Sequence, residues 1–139
     1  MTRPHESKKK SLAAMNRETP GFSSEATKQN ALAIVGWLDE KKAKDISVLD
    51  VAAFSSVADV MLLCTAQSVR HAQALADWIL EKYAENGISY LGMEGYDEGR
   101  WILVDGNEIL VHILQQESRE FYNLDGLWAQ GASLLPVAD

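Results

Sequence analysis

Residues 101–128, WILVDGNEILVHILQQESREFYNLDGLW, contain the pattern that decides the fold. Two apolar segments, Trp101–Val104 and Ile109–Leu114, have β-branched or bulky residues at nearly every position. Such segments are typical of strands that are covered on both faces. Between them, Asp105–Glu108 contains the dipeptides Asp-Gly and Gly-Asn, which supply the positive φ angles of a tight turn. The stretch therefore begins with a predicted β-hairpin.

The residues after the hairpin predict a helix with one apolar face. Four apolar side chains fall three and four positions apart: Phe121, Leu124, Leu127 and Trp128. This spacing places them on a single stripe of an α-helix, which would pack against the hairpin. Hairpin and helix together form a compact unit on which earlier elements can pack.

Two earlier segments also predict helices. The first runs from about Ser24 to Ala43, with Ser24 as its N-cap. The second begins after a cap at Ser68 and ends at the stop signal Asn86-Gly87. Five residues form the predicted buried stripe of the second helix: Ala72, Leu75, Ala76, Ile79 and Tyr83.

Three further strands complete the pattern: Ile46–Val51, Val60–Thr65 and Ile88–Met93. Val60–Thr65 is the most apolar, which favours the middle of the sheet. Ile88–Met93 is interrupted by Gly92, which favours an edge. The element order α-β-β-α-β-β-β-α predicts an α/β fold, with one mixed sheet of about five strands and packed helices.

The composition fits one globular domain with a tail at each end. The chain has 139 residues, of which 47% are hydrophobic. Residues 1–24 lack apolar periodicity and are predicted to form a disordered basic tail; residues 25–130 form the domain, and residues 131–139 a loose C-terminal tail. We expect no membrane insertion, because no apolar run approaches roughly 20 residues, and no secretory signal.

Charge is divided unevenly along the chain. Residues 1–24 have a net charge of +3, and the remainder has −10. An acidic body argues against direct binding to DNA or another nucleic-acid backbone, and favours a basic protein partner. The lone Cys64 lies in an apolar segment and is predicted to be a small buried hydrophobe. A reducing, cytoplasmic location fits this cysteine usage.

An enzyme remains an alternative at this point. Five carboxylates lie near strand ends: Asp45, Asp50, Asp59, Glu94 and Asp105. Such groups could hold Mg²⁺ in a nucleotidyl- or phosphoryl-transferring enzyme, although the chain lacks the D-x-D spacing usual there. The helix start at Ser68 and Arg70 could hold an anion, but no glycine-rich loop precedes it.

The remaining polar candidates give weak signals for catalysis. His112 could act as a base near Asp105 or Glu117, yet no nucleophile or orienting partner is indicated. A buried, hydrogen-bonded histidine or one that faces a partner is the other interpretation. Three scattered histidines and Cys64 lack the spacing of a metal site, so we expect no metal and no cofactor.

Trp101 begins a strand beside the acidic loop Glu94–Arg100. Tryptophan is enriched among interface hot spots, so an exposed anchor is one interpretation. Packing of Trp101 in the core against the last helix is the other, and the pattern alone does not separate them.

Taken together, several stretches resemble the ribosomal silencing factor family, RsfS, also called the Iojap-related family. The matching pieces cover about residues 28–128 and are Asp45-Ile46 with Asp50, Ser55–Asp59, Ser68 with Arg70-His71, Glu94-Gly95, Trp101–Asp105, Val111-His112, Arg119–Leu124 and Leu127-Trp128. The chain departs from the family pattern at Ala66, where glycine is usual, and at Asp125, where glutamate is usual.

The resemblance implies a binding protein and not an enzyme. Family members are similar in fold to nucleotidyltransferases but lack the catalytic carboxylates. They bind the large ribosomal subunit through the ribosomal protein called L-fourteen, which blocks joining of the small subunit and represses translation when nutrients are scarce. A role in large-subunit biogenesis and formation of a homodimer are also implied.

The residue pattern supplies a mechanism for that role. An acidic domain gains encounter rate and orientation toward a basic ribosomal protein, and an aromatic anchor supplies desolvated contact area. The expected partner-binding residues are Glu94, Trp101 and Asp105, with His112 as a further member. A rival interpretation is a dimeric scaffold whose aromatic residues bury its own interface.

Overall fold

The fold is one mixed six-stranded sheet with two long helices packed on one face. A computed structural model describes residues 23–53, 55–127, 129 and 131–135. Its elements in chain order are α1 (Glu25–Glu40), β1 (Lys44–Asp50), β2 (Val60–Ala66), α2 (Val69–Glu85), β3 (Gly92–Glu94), β4 (Trp101–Asp105), β5 (Ile109–Gln115), α3 (Gln116–Tyr122), α4 (Leu124–Leu127) and β6 (Ala132–Ser133). The strands lie in the order β3-β4-β5-β2-β1-β6.

The middle of the sheet is the parallel pair β2 and β5, whose register runs from Val60 opposite Ile109 to Ala66 opposite Gln115. All the other paired strands are antiparallel. Every residue of β2 is buried, as expected for a central strand. The predicted hairpin is confirmed as β4 and β5, and Asn107 in its turn has a φ of 74°. The predicted mixed α/β architecture is confirmed, with one strand more than expected.

The two faces of the sheet have different cover. Alternate residues of the central strands, such as Leu62 and Val111, pack against the buried stripes of α1 and α2. The opposite residues, such as Leu63 and Leu114, form a second apolar cluster with Leu124 of α4. We call the side that carries the second cluster the distal face. Burial of each large aliphatic side chain contributes roughly 1.5–3 kcal/mol to folding.

The caps of the two long helices were predicted correctly, and the end of α1 was not. The Ser24 hydroxyl accepts a hydrogen bond from the Thr27 amide, and the Ser68 hydroxyl accepts one from the His71 amide. Helix α1 ends at Glu40, earlier than the predicted Ala43. Lys42 adopts a φ of 65°, and the Ala43 amide turns back to the Leu38 carbonyl at 3.1 Å. This closure satisfies the last carbonyls of the helix and stops it.

The second helix agrees with the prediction in its buried stripe, and the strand after it is shorter than predicted. The five buried side chains of α2 are Ala72, Leu75, Ala76, Ile79 and Tyr83. In place of the predicted strand Ile88–Met93, edge strand β3 runs from Gly92 to Glu94. The Leu91 amide just before it donates to the Asp105 carbonyl of β4 at 2.7 Å. Gly87 has a φ of 68° at the helix exit, and the chain needs the following residues to reach the sheet edge.

The predicted apolar stripe on the last helix is wrong. Asn123 adopts left-handed angles, φ 49° and ψ 49°, and separates α3 from α4. The interruption changes the direction of the chain, so the three- and four-residue spacing no longer defines one face. Leu124 is buried, whereas Phe121 is 80% and Leu127 66% exposed. Trp128, the fourth member of the predicted stripe, lies outside the described residues.

Both predicted tails begin differently from expectation. Ser23, placed in the N-terminal tail, is buried and donates hydrogen bonds from its amide and hydroxyl to the Asp50 carboxylate, each at 2.9 Å. Residues 1–22 lie outside the described part of the chain. In the segment predicted to be a loose C-terminal tail, Ala132–Ser133 forms β6 and pairs with Leu49 and Asp50 of β1. A strand of two residues is too short to show a hydrophobic period in the sequence.

Candidate partner-binding groove

Three aromatic side chains contact one another in series at the start of β4, with tilted and edge-to-face rings, and we call them the aromatic stack. The ring centroids of Trp101 and Tyr122 lie 4.7 Å apart, and those of Tyr122 and Phe121 lie 5.0 Å apart. Both distances are within the favourable range for aromatic pairs. Trp101 is partly buried, Tyr122 is 51% exposed and Phe121 is 80% exposed. The stack therefore runs from the edge of the core to open solvent.

The stack forms one side of a groove of about 840 Å³, which we call the aromatic groove. Its walls are the start of α2, the loop before β4 and helix α3. The lining residues are Val69, Gly95, Glu98, Arg100, Trp101, Gln115, Glu117, Ser118, Phe121 and Tyr122. Two carboxylates and one guanidinium line it, so it combines exposed aromatic area with a slightly acidic rim.

The loop that forms one wall is held in place by hydrogen bonds from both sides. Gln73 of α2 donates to the Tyr96 carbonyl at 2.8 Å, and the Tyr96 hydroxyl donates to Asp77 at 3.0 Å. On the other side, Gln115 donates to the Gly99 carbonyl at 3.0 Å. A wall fixed before binding loses less conformational entropy when a partner docks.

Helix α3, the opposite wall, is anchored by Arg119. Its guanidinium donates two hydrogen bonds to the Asp125 carboxylate, at 2.9 and 2.8 Å. A third nitrogen donates to the Asp45 carbonyl at 2.6 Å and to the Thr65 hydroxyl at 3.0 Å. The hydrogen bonds from Arg119 hold the pKa of Asp125 below its ordinary value. These contacts fix the helix that carries Phe121 and Tyr122 to the ends of β1 and β2.

His112 lies behind Trp101 and not on the surface. The Trp101 Nε1–H donates to His112 Nδ1 at 3.0 Å, and the ring centroids are 5.8 Å apart. His112 is 5% exposed, and its burial lowers the pKa of the imidazole from 6.5 to about 4. The imidazole is therefore neutral near pH 7. This position agrees with the interpretation of His112 as a buried, hydrogen-bonded histidine, and His112 is not among the residues that line the groove.

Glu94 and Asp105 occupy opposite ends of the predicted site. Glu94 of β3 is partly buried and shares with Trp101 and Leu103 a small depression of about 240 Å³ next to the groove. Asp105 is 5% exposed, ends β4, and accepts a hydrogen bond from the Asn107 amide at 3.0 Å. Four residues of strand place it roughly 13 Å from Trp101. The structure groups Glu94, Trp101 and His112 and leaves Asp105 to the hairpin turn.

The sequence analysis missed two lining residues of the groove, Phe121 and Tyr122, and Arg119, which anchors the helix that carries them. Phe121 was assigned to an apolar stripe that continued through Asn123, and Tyr122 was given no role. Asparagine tolerates left-handed angles better than most residues, and Gly126 follows closely, so a break at this point was the available signal. The ion pair of Arg119 with Asp125 has no characteristic spacing.

Two of the residues considered for an anion site or a Mg²⁺ site, His71 and Asp50, make hydrogen bonds within the fold. His71 accepts a hydrogen bond from the Gln67 amide at 2.9 Å through Nδ1, and its Nε2 donates to the Lys41 carbonyl at 2.8 Å. The histidine thus joins the start of α2 to the end of α1. Asp50 accepts hydrogen bonds from Ser23 and from the Ala52 amide. Within the described residues, no group of three or more His, Cys, Asp or Glu side chains could hold a metal ion.

Two further features bear on the predicted class of protein. Cys64 is buried as predicted, and burial raises the pKa of its thiol from 9.0 to about 12. In the part of the chain that the structure describes, no helix is both long and apolar enough to cross a membrane.

Comparison with known proteins assigns this chain to a family. Residues 24–138 match the family described as ribosomal silencing factor during starvation, RsfS. The chain belongs to the RsfS family. This confirms the resemblance drawn from the residue motifs. The matched range includes every residue that lines the aromatic groove, so the groove lies within the RsfS domain of this chain.

Several known proteins are similar to most of the chain. The ribosomal silencing factor RsfS of Bacillus subtilis is 43% identical over 101 residues, which is 73% of this chain and 82% of that protein. A crystal structure of a Chromobacterium violaceum protein has 32% identity and a TM-score of 0.70, and the match covers 73% of this chain and 85% of that chain. The mouse protein named mitochondrial assembly of ribosomal large subunit protein 1 is 29% identical, over 68% of this chain and 43% of its own length.

Proposed function

We propose that this RsfS-family protein binds the large ribosomal subunit through the aromatic groove and represses translation by blocking the small subunit. The observation that carries the proposal is the stack of Trp101, Tyr122 and Phe121, which leaves two aromatic side chains more than half exposed beside acidic residues. Exposed aromatic residues at a fixed site are the usual anchors of protein interfaces. The family description and the name of the mouse relative support a large-subunit partner.

A basic ribosomal protein fits the electrostatics of this surface. Glu98 and Glu117 line the groove, Glu94 lies next to it, and residues 25–139 together carry a charge of −10. Complementary charge raises the association rate and fixes the register of docking. We propose the ribosomal protein called L-fourteen as the partner, and the cytoplasm as the site of action. The same contact would serve large-subunit biogenesis.

The proposed action requires no chemistry. A rigid domain bound at the face where the small subunit docks excludes that subunit by its volume alone. Two of the carboxylates that an enzyme would need, Asp50 and Asp105, instead accept hydrogen bonds from nearby backbone amides. This supports a binding function over phosphoryl or nucleotidyl transfer.

Sedimentation with separated ribosomal subunits tests the proposal. We expect the protein to migrate with the large subunit and to reduce the fraction of joined ribosomes when both subunits are present. Phe121→Ala should weaken both effects, and Leu32→Ala on α1 serves as the matched control, because Leu32 is 45% exposed outside the groove. Failure of the wild-type protein to migrate with the large subunit at low salt would overturn the proposal.

A homodimer that buries the aromatic groove is the competing use of the same surface. Analytical ultracentrifugation separates the two hypotheses. If the groove is a dimer interface, Phe121→Ala should change the monomer–dimer equilibrium and leave ribosome binding unaltered. We expect the reverse: weaker ribosome binding at an unchanged oligomeric state.

A further inference from the structure

Among the described residues, His112 has a hydrogen-bond partner for one of its two ring nitrogens. Its Nδ1 accepts the Trp101 indole N–H at 3.0 Å. A nitrogen that accepts carries no proton, so the neutral ring has its proton on Nε2. That Nε2 is buried and has no hydrogen-bond partner within the described residues. An unpaired buried N–H destabilises a fold, so packing alone does not explain a histidine here.

The neighbours of His112 would suit an apolar side chain. Across the sheet, His112 lies opposite Leu103 of β4 and opposite Leu63 of β2. Both leucines are buried and belong to the distal-face cluster. A leucine at position 112 would continue this row and would remove the unpaired N–H. Of the two ring nitrogens that leucine would lack, Nδ1 is the one with a partner, and that partner is Trp101.

We propose that His112 is a positioning residue: the buried neutral imidazole holds the Trp101 indole in the orientation that the aromatic groove presents to its partner. Trp101 lies between a fixed hydrogen-bond acceptor and the Tyr122 ring, so its side-chain torsions are restrained before binding. A restrained anchor loses less entropy on docking. The effect on binding rests on the proposed function, whereas the effect on Trp101 is a property of the free protein.

Two substitutions of similar size separate positioning from packing. His112→Asn retains an acceptor oxygen close to the position of Nδ1, and His112→Leu removes the acceptor. In the free protein, we expect the Trp101 indole N–H to exchange with solvent many-fold faster in H112L and to stay slow in H112N. The indole resonance is assigned by its absence in Trp101→Phe. Large-subunit affinity should fall about fivefold to tenfold in H112L, since one hydrogen bond is lost, and stay within about twofold in H112N.

The unfolding temperatures of the two variants separate a positioning role from a packing role. H112L should unfold close to the wild-type temperature while it binds more weakly, because it removes the unpaired Nε2–H but leaves the Trp101 indole N–H without its acceptor. A loss of stability equal in H112L and H112N, or an unchanged indole exchange rate in H112L, would overturn the positioning role.

Failure of the positioning role and failure of the proposed function are distinguishable. If indole exchange accelerates in H112L while H112L and Trp101→Ala both bind the large subunit as the wild type does, positioning stands and the groove is not the ribosome contact. Should H112L not fold, imidazole ¹⁵N resonances of the wild type decide the case. A proton on Nε2 and none on Nδ1 supports the role, and the opposite tautomer overturns it.

Discussion

Arg119 holds the Asp125 carboxylate with two nitrogens, at 2.9 and 2.8 Å, across the left-handed break between α3 and α4. The same guanidinium reaches the Asp45 carbonyl and the Thr65 hydroxyl. One side chain therefore joins the two C-terminal helices to each other and to the ends of β1 and β2. The orientation of the aromatic groove depends on this connection.

Arg119→Ala should lower the free energy of unfolding by about 2–3 kcal/mol, because it leaves the buried Thr65 hydroxyl and two other acceptors without their donor. Asp125→Asn should cost about 1 kcal/mol or less, because the Asp125 side chain is 45% exposed and the pair is partly screened. Urea denaturation of the two variants measures the difference. Equal costs would show that the ion pair, and not the contacts to Asp45 and Thr65, carries the stabilisation.

Substitutions in the aromatic stack should weaken partner binding. The more exposed the side chain, the smaller the accompanying change in the free energy of unfolding should be. Trp101→Ala should weaken large-subunit binding by roughly 2–4 kcal/mol if Trp101 is a central anchor. Phe121→Ala should weaken binding by about 1–2 kcal/mol and alter unfolding by less than about 0.5 kcal/mol, since this side chain is 80% exposed. Titration calorimetry and urea denaturation measure the two quantities. A folded Trp101→Ala protein with wild-type affinity contradicts the assignment.

His112 should make stability depend on pH in the mildly acidic range. Burial lowers the pKa of its imidazole from 6.5 to about 4, so between these values the unfolded chain takes up a proton that the folded protein excludes. The contribution is complete above pH 6.5 and is lost as the pH falls toward 4, by up to about 3 kcal/mol. Denaturant midpoints across this range measure the loss.

His112→Leu is the control for that pH dependence, and its stability should vary less between pH 6.5 and 4. Asp125 does not interfere in this window, because its pKa is lowered from 3.8 and its contribution is lost only at more acidic pH. An identical pH profile for His112→Leu and the wild type would show that other groups cause the loss.

Two glycines should respond in opposite directions to alanine. Gly99 has a φ of 66°, and a Cβ there would lie 2.6 Å from the Val69 Cγ1 atom. Gly99→Ala should therefore lower the free energy of unfolding by about 1–3 kcal/mol and weaken partner binding by displacing the groove wall. Gly36 lies inside α1 with nothing near its Cβ position, so Gly36→Ala should raise the free energy of unfolding by about 0.5–1 kcal/mol. Thermal denaturation measures both, and equal signs would contradict the local geometry.

The centre of the fold was predictable because its signals are local and strong. Continuous apolar runs predicted β2 and β5, serine caps predicted the starts of α1 and α2, and Asp-Gly-Asn predicted the hairpin turn. Strand β6 was not predictable, since two residues carry no period. The end of α1 was extended too far because the lysines after Glu40 resemble a helix end and do not show that Lys42 adopts a left-handed angle.

Of the residues expected to bind a partner, Trp101 lines the groove and Glu94 lies next to it. Trp101 was recognisable from its residue type beside an acidic loop. Phe121 was placed on an apolar stripe against the hairpin, because periodicity counts apolar residues and does not detect the break at Asn123, and Tyr122 was given no role. Asp105 was assigned to the surface by its charge, although the turn amide of Asn107 gives a buried carboxylate a hydrogen bond.

The parallel pairing of β2 with β5 sets the order in which a nascent chain can acquire its structure. Val60 finds its partner only when Ile109 has been made, after α2, β3 and β4 have already been synthesised. Until then β2, whose seven residues are all buried in the finished protein, has one side of its backbone unpaired. Such long-range closure is slow and exposes an apolar edge to aggregation. Chains that stop before Gln115 should therefore depend on chaperones, and release of β5 from the ribosome is the event that completes the pairing of β2.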